Sequence, residues 1–236
     1  MMMTTHIIAL GGSLLRPEEA EKRGTWFGRL RQLAVHLEGN GRRLGIVVGG
    51  GLPAREGIEL ASITVSNSYR LDMVGIAATR LNATILQQSL IDIGCDVCPI
   101  IPTTTAQAVD LLTSHHIVIM GGTTPGHTTD AVAVALARDV GAPHCVIATN
   151  VSHVYDSDPR TNPEAKRIEE MTLGELAKIT GTEALEPGMS AAVDPIAVKW
   201  AQEAALKLAV LDGRDLTILE NAIEGKPFVG TLVKVE

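Results

Sequence analysis

The segment LGIVVGGGLPAR, residues 44–55, is an apolar run that ends in three glycines and continues into a helix-like sequence. The same arrangement occurs in residues 6–13, HIIALGGS, and in residues 116–123, HIVIMGGT. Unbroken apolar strands followed by helices are typical of a parallel sheet that is covered on both faces. Because ligands of such sheets bind outside the carboxyl ends of the strands, the three glycine loops predict one shared binding site.

Strand-like and helix-like segments alternate along the whole chain, with no internal repeat and no linker-like tract. Apolar runs predict strands at residues 6–10, 44–48, 97–101, 116–120, 145–149, 206–211 and 230–235. Helical spacing predicts helices at residues 25–38, 53–62, 71–91, 103–112, 128–140, 173–179 and 195–204. This order of elements predicts an α/β fold with a mainly parallel sheet.

The predicted helices carry two further signals. Capping patterns mark three helix starts, at Thr103, at Thr172 with Glu175, and at Asp194 before Pro195. In the long third helix Val74, Leu81 and Ile85 lie on one face, together with Ala77 and Ala78. An apolar stripe of this kind predicts a helix that packs in the core or at an interface.

The composition is that of a globular protein with one domain or two closely joined lobes. The chain has 236 residues, of which 45% are hydrophobic and 20% are charged. With a net charge of −7 and no run of more than two Lys or Arg residues, it lacks the basic surface of a nucleic-acid binder. No apolar run approaches the roughly 20 residues of a membrane span. Residues 1–10 do not resemble a signal peptide, so we expect a cytoplasmic protein without nucleic-acid or membrane partners.

The three cysteines are expected to be reduced. Cys95, Cys98 and Cys145 are an odd number in a chain without a recognisable secretory signal. Cys95 and Cys98 lie in or beside an apolar run, so small buried side chains are the simpler interpretation of their CxxC spacing.

The residues around the glycine loops suit phosphoryl transfer. Successive backbone N–H groups at a helix start bind anionic oxygens, and Arg55 follows the triple glycine by four residues, where its guanidinium can contact phosphate. The run GGTTPGHTTDA, residues 121–131, adds four threonine hydroxyls and a helix start with Asp130 in its first turn. No Walker A motif, GxGxxG motif or protein-kinase motif occurs.

Six segments in order resemble those of the archaeal UMP kinases, a branch of the amino acid kinase family. They are LGGS at 10–13, VVGGGLPAR at 47–55, LDMVGIAATRLNA at 71–83, MGGTTPGHTTDAV at 120–132, ATNVSHVYDSDPRTNPEAKRI at 148–168 and VDPIAVK at 193–199. The resemblance covers nearly the whole chain, and GGTTPGHTTDAV is its most specific part. It implies a three-layer αβα sandwich, transfer of the γ-phosphoryl group of ATP to UMP with Mg²⁺ on the ATP phosphates, and a homohexamer.

The resemblance also implies which residues bind the two nucleotides. UMP would contact Gly50, Asp72, Thr123, Thr124, Pro125, Gly126, His127, Thr128 and Thr129, with Asp72 on the ribose. ATP would contact Gly12, Ser13, Gly51, Arg55, Thr149, Asn150, Tyr155 and Asp158, the first four near its phosphates. Arg55 would be the catalytic cation. The N-terminal lobe, about residues 1–140, would bind the acceptor, and the lobe of about residues 141–236 would bind ATP.

Three departures from the family pattern stand out. Ala9 replaces the lysine that many amino acid kinases carry on the first strand, and residues 186–193 differ from the usual loop. Ser152 and His153 replace an aspartate and a glycine. Because glycine at that position suggests a positive φ or a close approach to the nucleotide, we expect His153 to lie in a modestly strained turn, with its ring either in contact with ATP or facing solvent.

Two other functions remain open on the sequence. An isopentenyl phosphate kinase of the same fold would need an apolar acceptor pocket, whereas TTPGHTT is polar. A nucleotide-binding or metal-oxyanion storage protein would need clustered histidine and glutamate side chains, whereas the histidines here are scattered. His115, His116 and His144 are expected at the ends of strands, and the roles of His127 and Lys166 are left open.

Overall fold

A computed structural model describes residues 4–15, 20–159, 161–181 and 193–236. The strands are β1 (Thr5–Leu10), β2 (Arg43–Val48), β3 (Ile117–Met120), β4 (His144–Thr149), β5 (Val154–Tyr155), β6 (Arg167–Ile168), β7 (Glu170–Thr172), β8 (Lys207–Asp212) and β9 (Thr231–Lys234). The helices are α1 (Ala20–Gly39), α2 (Gly51–Ser62), α3 (Ser68–Asp92), α4 (Thr105–Leu112), α5 (Thr129–Asp139), α6 (Leu173–Thr180), α7 (Pro195–Glu203) and α8 (Leu216–Glu224).

Seven strands form one sheet in the order β3-β2-β1-β4-β8-β9-β7. The first five are parallel, β9 is antiparallel to β8, and β7 is parallel to β9. Leu10 pairs with both Val48 and Ala148, and Thr149 pairs with Asp212, so these strands end at nearly the same level. The loops that follow β3, β2, β1, β4 and β8 therefore lie along one edge of the sheet. β5 and β6 form a separate antiparallel hairpin.

Two apolar layers cover the sheet. Ile7 and Ala9 of β1 belong to the layer that contains buried side chains of α4, α5, α6 and α7. Ile8 and Leu10 face the opposite layer, which contains buried side chains of α1, α3 and α8. This alternation along a central strand is expected when both faces of a sheet are buried. The three-layer α/β architecture predicted from the sequence is thus confirmed.

Most predicted elements are found, and the exceptions have local causes. The strand predicted at 97–101 is wrong, since only Val97 makes an isolated bridge, to Ile117. Pro99 and Pro102 explain this, because proline has no N–H to donate to a sheet. The fourth helix is capped by Thr104 and not by Thr103. The sequence prediction missed β5, β6, β7 and α8. None of the helices in the described part is both long and apolar enough to span a bilayer.

The other caps and the cysteines agree with the sequence prediction. Thr172 and Glu175 form a reciprocal capping box at α6. The Asp194 carboxylate accepts from the backbone N–H groups of Ile196 and Ala197 at the start of α7. All three cysteines are buried and free of disulfides.

The apolar stripe predicted on the third helix does not face the core of the single chain. Leu81 and Ile85 of α3 are 53% and 38% exposed, while Ile76, Ala83 and Leu86 are buried. The neighbouring helix α2 has no buried residue at all. Of the two roles predicted for the stripe, an interface role fits this placement.

We predict that His6 makes folding sensitive to acid. His6 is 6% exposed, and neither ring nitrogen has a hydrogen-bond partner among the described residues. Burial, with Arg42 and His144 nearby, lowers the His6 pKa from 6.5 to about 4, although Glu224 acts in the opposite direction. Between these values the unfolded chain binds more protons than the folded one, so the free energy of unfolding falls as pH drops from 6.5 to 4.

His6→Leu should remove this contribution, which is about 1–2 kcal/mol after allowance for solvent screening. Urea unfolding at pH 7 and at pH 4.5 measures it as a smaller loss of unfolding free energy in the variant. Some loss should remain, because burial also lowers the pKa of His144. The half-buried His115, whose Nδ1 lies 3.6 Å from an Asp96 carboxylate oxygen, gives the control His115→Gln. An unchanged pH dependence in His6→Leu would contradict the prediction.

Candidate active site

The glycine loops after β1 and β2 pack against each other through their backbones. A Cβ atom on Gly12 would lie 2.3 Å from the carbonyl oxygen of Gly49 and 2.5 Å from the nitrogen of Gly51. Gly51 has a φ of +58°, and its own Cβ would lie 2.7 Å from the carbonyl carbon of Gly12. Side chains at these positions are therefore excluded by contact with backbone. The two loops form one surface of backbone groups beside the start of α2.

Two buried side chains of α3 hold the glycine loops from behind. The Asn82 side-chain amide is fully buried and donates to the carbonyl oxygens of Gly49 (2.8 Å) and Gly50 (2.9 Å). The Thr79 hydroxyl accepts from the Gly122 N–H at 2.7 Å and donates to the Ile76 carbonyl at 2.6 Å. The sequence prediction missed both supports. Their polar character within the buried face of α3 was the available signal, since buried polar groups need partners.

The segment Thr123–Thr128 between β3 and α5, here called the acceptor loop, contacts helices on both sides. The Asp72 carboxylate of α3 accepts from the Gly126 N–H at 2.7 Å. The His127 ring lies edge-on to Trp200 of α7, with ring centroids 4.8 Å apart. Thr128 caps α5 by accepting from the Ala131 N–H. The structure thus brings Asp72 to the loop with which it was predicted to act.

The predicted ATP residues follow the neighbouring strands of the same edge. Gly11 donates to the Ala148 carbonyl at 2.8 Å, which joins the β1 loop to the end of β4, where Thr149 and Asn150 lie. Gly213, after β8, donates to the Thr149 carbonyl at 2.9 Å. These contacts place the β1, β4 and β8 loops side by side.

The β5–β6 hairpin carries the remaining predicted ATP residues. Tyr155 lies in β5 with its hydroxyl 3.0 Å from the Ser152 hydroxyl, and the Asp158 carbonyl accepts from Asn162 in the turn that follows. The buried Thr231 of β9 fixes the hairpin, because its hydroxyl accepts from the Val154 N–H and donates to the Ile168 carbonyl. Thr231 is another support that the sequence prediction missed.

Arg55 is an exposed cation beside the glycine loops. It lies in α2, four residues after Gly51, and has no ion-pair partner among the described residues. Its guanidinium is thus available to an anion at the glycine loops. Lys166 is also exposed, and its backbone N–H donates to the Asp156 carboxylate.

The carboxyl groups of Asp130 and Asp194 lie near each other at the start of α5, which follows the acceptor loop. Burial, and then the nearby Asp194, raise the pKa of Asp130, in the first turn of α5, from 3.8 to about 7, although a backbone hydrogen bond with Asp194 acts the other way. Burial, and then Asp130, raise the pKa of the Cys145 thiol. Asp130 can therefore hold or release a proton near neutral pH, directly after the residues predicted to bind the acceptor. The sequence prediction placed Asp130 in this turn but gave it no role.

The expected strained turn at His153 is wrong. Ala205 is the only residue other than glycine with a positive φ in the described ranges, so His153 has an ordinary backbone. The His153 side chain is 3% exposed, and its Nδ1 has no hydrogen-bond partner among the described residues. Burial and Arg167 lower the His153 pKa. The departure at residues 186–193 lies outside the described residues, apart from Val193.

His153 lines a cavity of about 1140 Å³ that lies away from the glycine loops. Its other lining residues include His144 and Lys207, at the amino ends of β4 and β8, and residues of β9. Two of its cations are already paired, Arg167 with Glu169 and Lys234 with Glu170. The cavity therefore does not coincide with the predicted nucleotide site.

Comparison with known proteins places the chain in a family. The chain is 40% identical to a uridylate kinase of Methanococcus vannielii, over 96% of this chain and 98% of the relative. It is 38% identical to a uridylate kinase of Methanospirillum hungatei JF-1, over 98% and 95%. The crystal structure of uridylate kinase from Archaeoglobus fulgidus superposes with a TM-score of 0.81 at 31% identity, covering 98% of this chain and all of that one. Residues 4–212 match the amino acid kinase family. With glycine loops, acceptor loop and sheet order in place, the chain belongs to the amino acid kinase family.

Proposed function

We propose that this enzyme transfers the γ-phosphoryl group of ATP to UMP, giving UDP and ADP. The observation that carries the proposal is the 40% identity to a uridylate kinase over nearly the full length of both chains. The structure adds support, because the two glycine loops, the acceptor loop and Arg55 lie along one edge of the sheet. We also infer that the enzyme works in the cytoplasm.

We assign the two substrates to the two halves of this edge. UMP would lie against the β2 and β3 loops, near Gly50, Asp72 and the acceptor loop. ATP would lie against the β1, β4 and β8 loops, near Gly12, Ser13, Gly51 and Arg55, with its nucleoside toward Thr149, Asn150, Tyr155 and Asp158. β1 and β2 are adjacent, so the two phosphate groups would meet at the packed glycines. We propose a boundary between the two lobes near residue 140, after α5.

The chemistry would depend on position and charge. A phosphoryl group in transfer carries negative charge on its oxygens, and backbone N–H groups with a guanidinium stabilise such charge. Ala9 supplies no cation, because an alanine side chain is uncharged, and its methyl group is buried in the core. We therefore assign that role to Arg55. Mg²⁺ would be carried on the ATP phosphates, in keeping with its preference for phosphate oxygens. The carboxylates of Asp194 and Asp212 lie near the same edge, but the first caps a helix and the second takes part in an ion pair. We therefore assign neither of them to Mg²⁺.

The alternative functions fit less well. The acceptor loop carries three hydroxyl side chains and the Asp72 carboxylate beside it, which suits a ribose phosphate better than a prenyl chain. Among the described residues, the group able to hold a metal ion is His36, Glu220 and Glu224, on α1 and α8. Arg42 and Lys226 already neutralise Glu224 there, so this group gives no support to metal storage.

We propose that the enzyme assembles as a homohexamer in which α2 and α3 contact a second copy. The two helices pack together and expose large apolar side chains on a single chain. Together with Ile63, directly after α2, these are Leu52, Leu60, Tyr69, Met73 and Leu81, and all six are 47–77% exposed. Apolar surface of this kind is typical of protein interfaces.

A substrate panel tests the proposed reaction. We expect ADP release with UMP, slower release with dUMP, and little or none with AMP, GMP or isopentenyl phosphate. The reason is that the hydroxyl-rich acceptor loop and Asp72 suit a ribonucleotide. A coupled ADP-release assay at fixed ATP measures the rates. Equal rates with all acceptors, or a rate only with isopentenyl phosphate, would refute the proposal.

Arg55→Ala should lower kcat/KM by roughly 100- to 1000-fold, the loss expected for one charged contact to a phosphoryl transition state. Arg55→Lys should recover part of it, because the charge stays while the planar fork is lost. The matched control is Arg29→Ala, at an exposed position of α1. Near-full activity in folded Arg55→Ala would assign transition-state charge to another group.

Asp72→Asn should raise the KM for UMP by about tenfold, and the KM for dUMP less, if the carboxylate accepts from the ribose 2′-hydroxyl. The asparagine side-chain oxygen can still accept from the Gly126 N–H, so the acceptor loop keeps its contact with α3. Asp92→Asn, at the exposed far end of the same helix, is the control. If the KM values for UMP and dUMP change equally, Asp72 fixes the acceptor loop and makes no contact with the ribose.

A further inference from the structure

The acceptor loop is joined to α7 by one aromatic contact. The rings of His127 and Trp200 are 4.8 Å apart and inclined at 74°, an edge-to-face arrangement. Both side chains are half-buried, and Trp200 also packs against the core layer that contains α5 and α6. The neighbouring loop residue, Gly126, is the one that α3 holds through Asp72. Two adjacent loop residues are thus fixed from opposite sides.

Helix α7 is a firm support for this contact. Its first turn is capped by Asp194 and starts with Pro195, which favours the helical φ. Ala197, Val198 and Ala201 are buried in the core layer that also contains α5 and α6. The acceptor loop itself is open, with Thr124 and Gly126 exposed. Trp200 therefore presents a fixed surface to the open acceptor loop, opposite the contact that α3 makes at Gly126.

We propose that Trp200 is a positioning residue that acts through His127 to hold the acceptor loop in the conformation that receives UMP. This inference rests on the proposed function. A loop fixed before binding loses less conformational entropy when the ligand arrives, so the contact should favour acceptor affinity. ATP is assigned to other loops, so its KM should change little. Trp200 itself need not touch either nucleotide.

Replacement of Trp200 tests the inference directly. Trp200→Ala should raise the KM for UMP by about three- to tenfold, the range expected for loss of an aromatic pair, with less than a twofold change in kcat and in the KM for ATP. Trp200→Phe keeps an aromatic edge and should stay within about twofold of the unaltered enzyme. Gln202→Ala, at an exposed position of α7, is the control.

Circular dichroism and thermal unfolding check that each variant is folded. An unchanged KM for UMP in folded Trp200→Ala would overturn the inference. An equal rise in both KM values would also overturn it, since Trp200 would then only stabilise the lobe as a whole. If Trp200→Ala does not fold, the comparison of Trp200→Phe with Trp200→Leu decides in the same way.

A double-mutant cycle shows whether Trp200 acts through His127. If it does, His127→Ala with Trp200→Ala should raise the KM for UMP no more than His127→Ala alone. Independent, multiplicative effects would overturn the route through His127.

UMP binding without ATP separates this inference from the proposed reaction. Calorimetric titration with UMP should give a dissociation constant that Trp200→Ala weakens and Trp200→Phe preserves. Tryptophan emission should also change with UMP in the unaltered protein and not in Trp200→Phe, where the buried Trp26 remains. Binding of UMP without turnover would refute the reaction, and the variants would still decide the role of Trp200. No binding of UMP at all would refute both.

Discussion

The contact between the glycine backbones of the β1 and β2 loops is the constraint on which the site depends. Gly12 and Gly49 approach so closely that any side chain would force β1 and β2 apart or displace a loop. This closeness places the N–H groups at the start of α2 next to those after β1. An anion between them would meet backbone donors from two strands at once, which is the geometry that phosphate binding needs. Arg55 then adds charge at the same place.

Helix α3 connects the packed glycine loops to the other loops at this edge of the sheet through hydrogen bonds. Asn82 fixes the β2 loop, Thr79 fixes the β3 loop, and Asp72 fixes the acceptor loop, so one helix sets three segments relative to one another. The other side of α3 is apolar and exposed in a single chain. A second copy that covers this side would thus rest on the same rigid element that orders the acceptor half of the site.

Sequence patterns predicted the elements and loops whose signal is local. Apolar runs and glycine pairs located β1, β2, β3 and β4, because burial on both faces leaves a continuous signature. The wrong or missed predictions concern segments whose structure depends on contacts with residues distant in the sequence. β7 is three residues long and gains its place from pairing with β9, and Pro99 and Pro102 break an otherwise strand-like run. The strained turn at His153 was predicted because relatives carry glycine at this position. In this chain the backbone of His153 is ordinary, and its side chain is buried in the protein.

The position of β9 gives the chain an order of assembly. β9 lies between β8 and β7 although it follows both in sequence, and its Thr231 also fixes the hairpin that carries Tyr155. During synthesis β2 can pair with β1, β3 with β2 and β4 with β1 as each emerges, since each of these strands has a partner that is already made. β7 and the hairpin must wait for β9. The acceptor half can therefore be ordered during synthesis before the half assigned to ATP is complete.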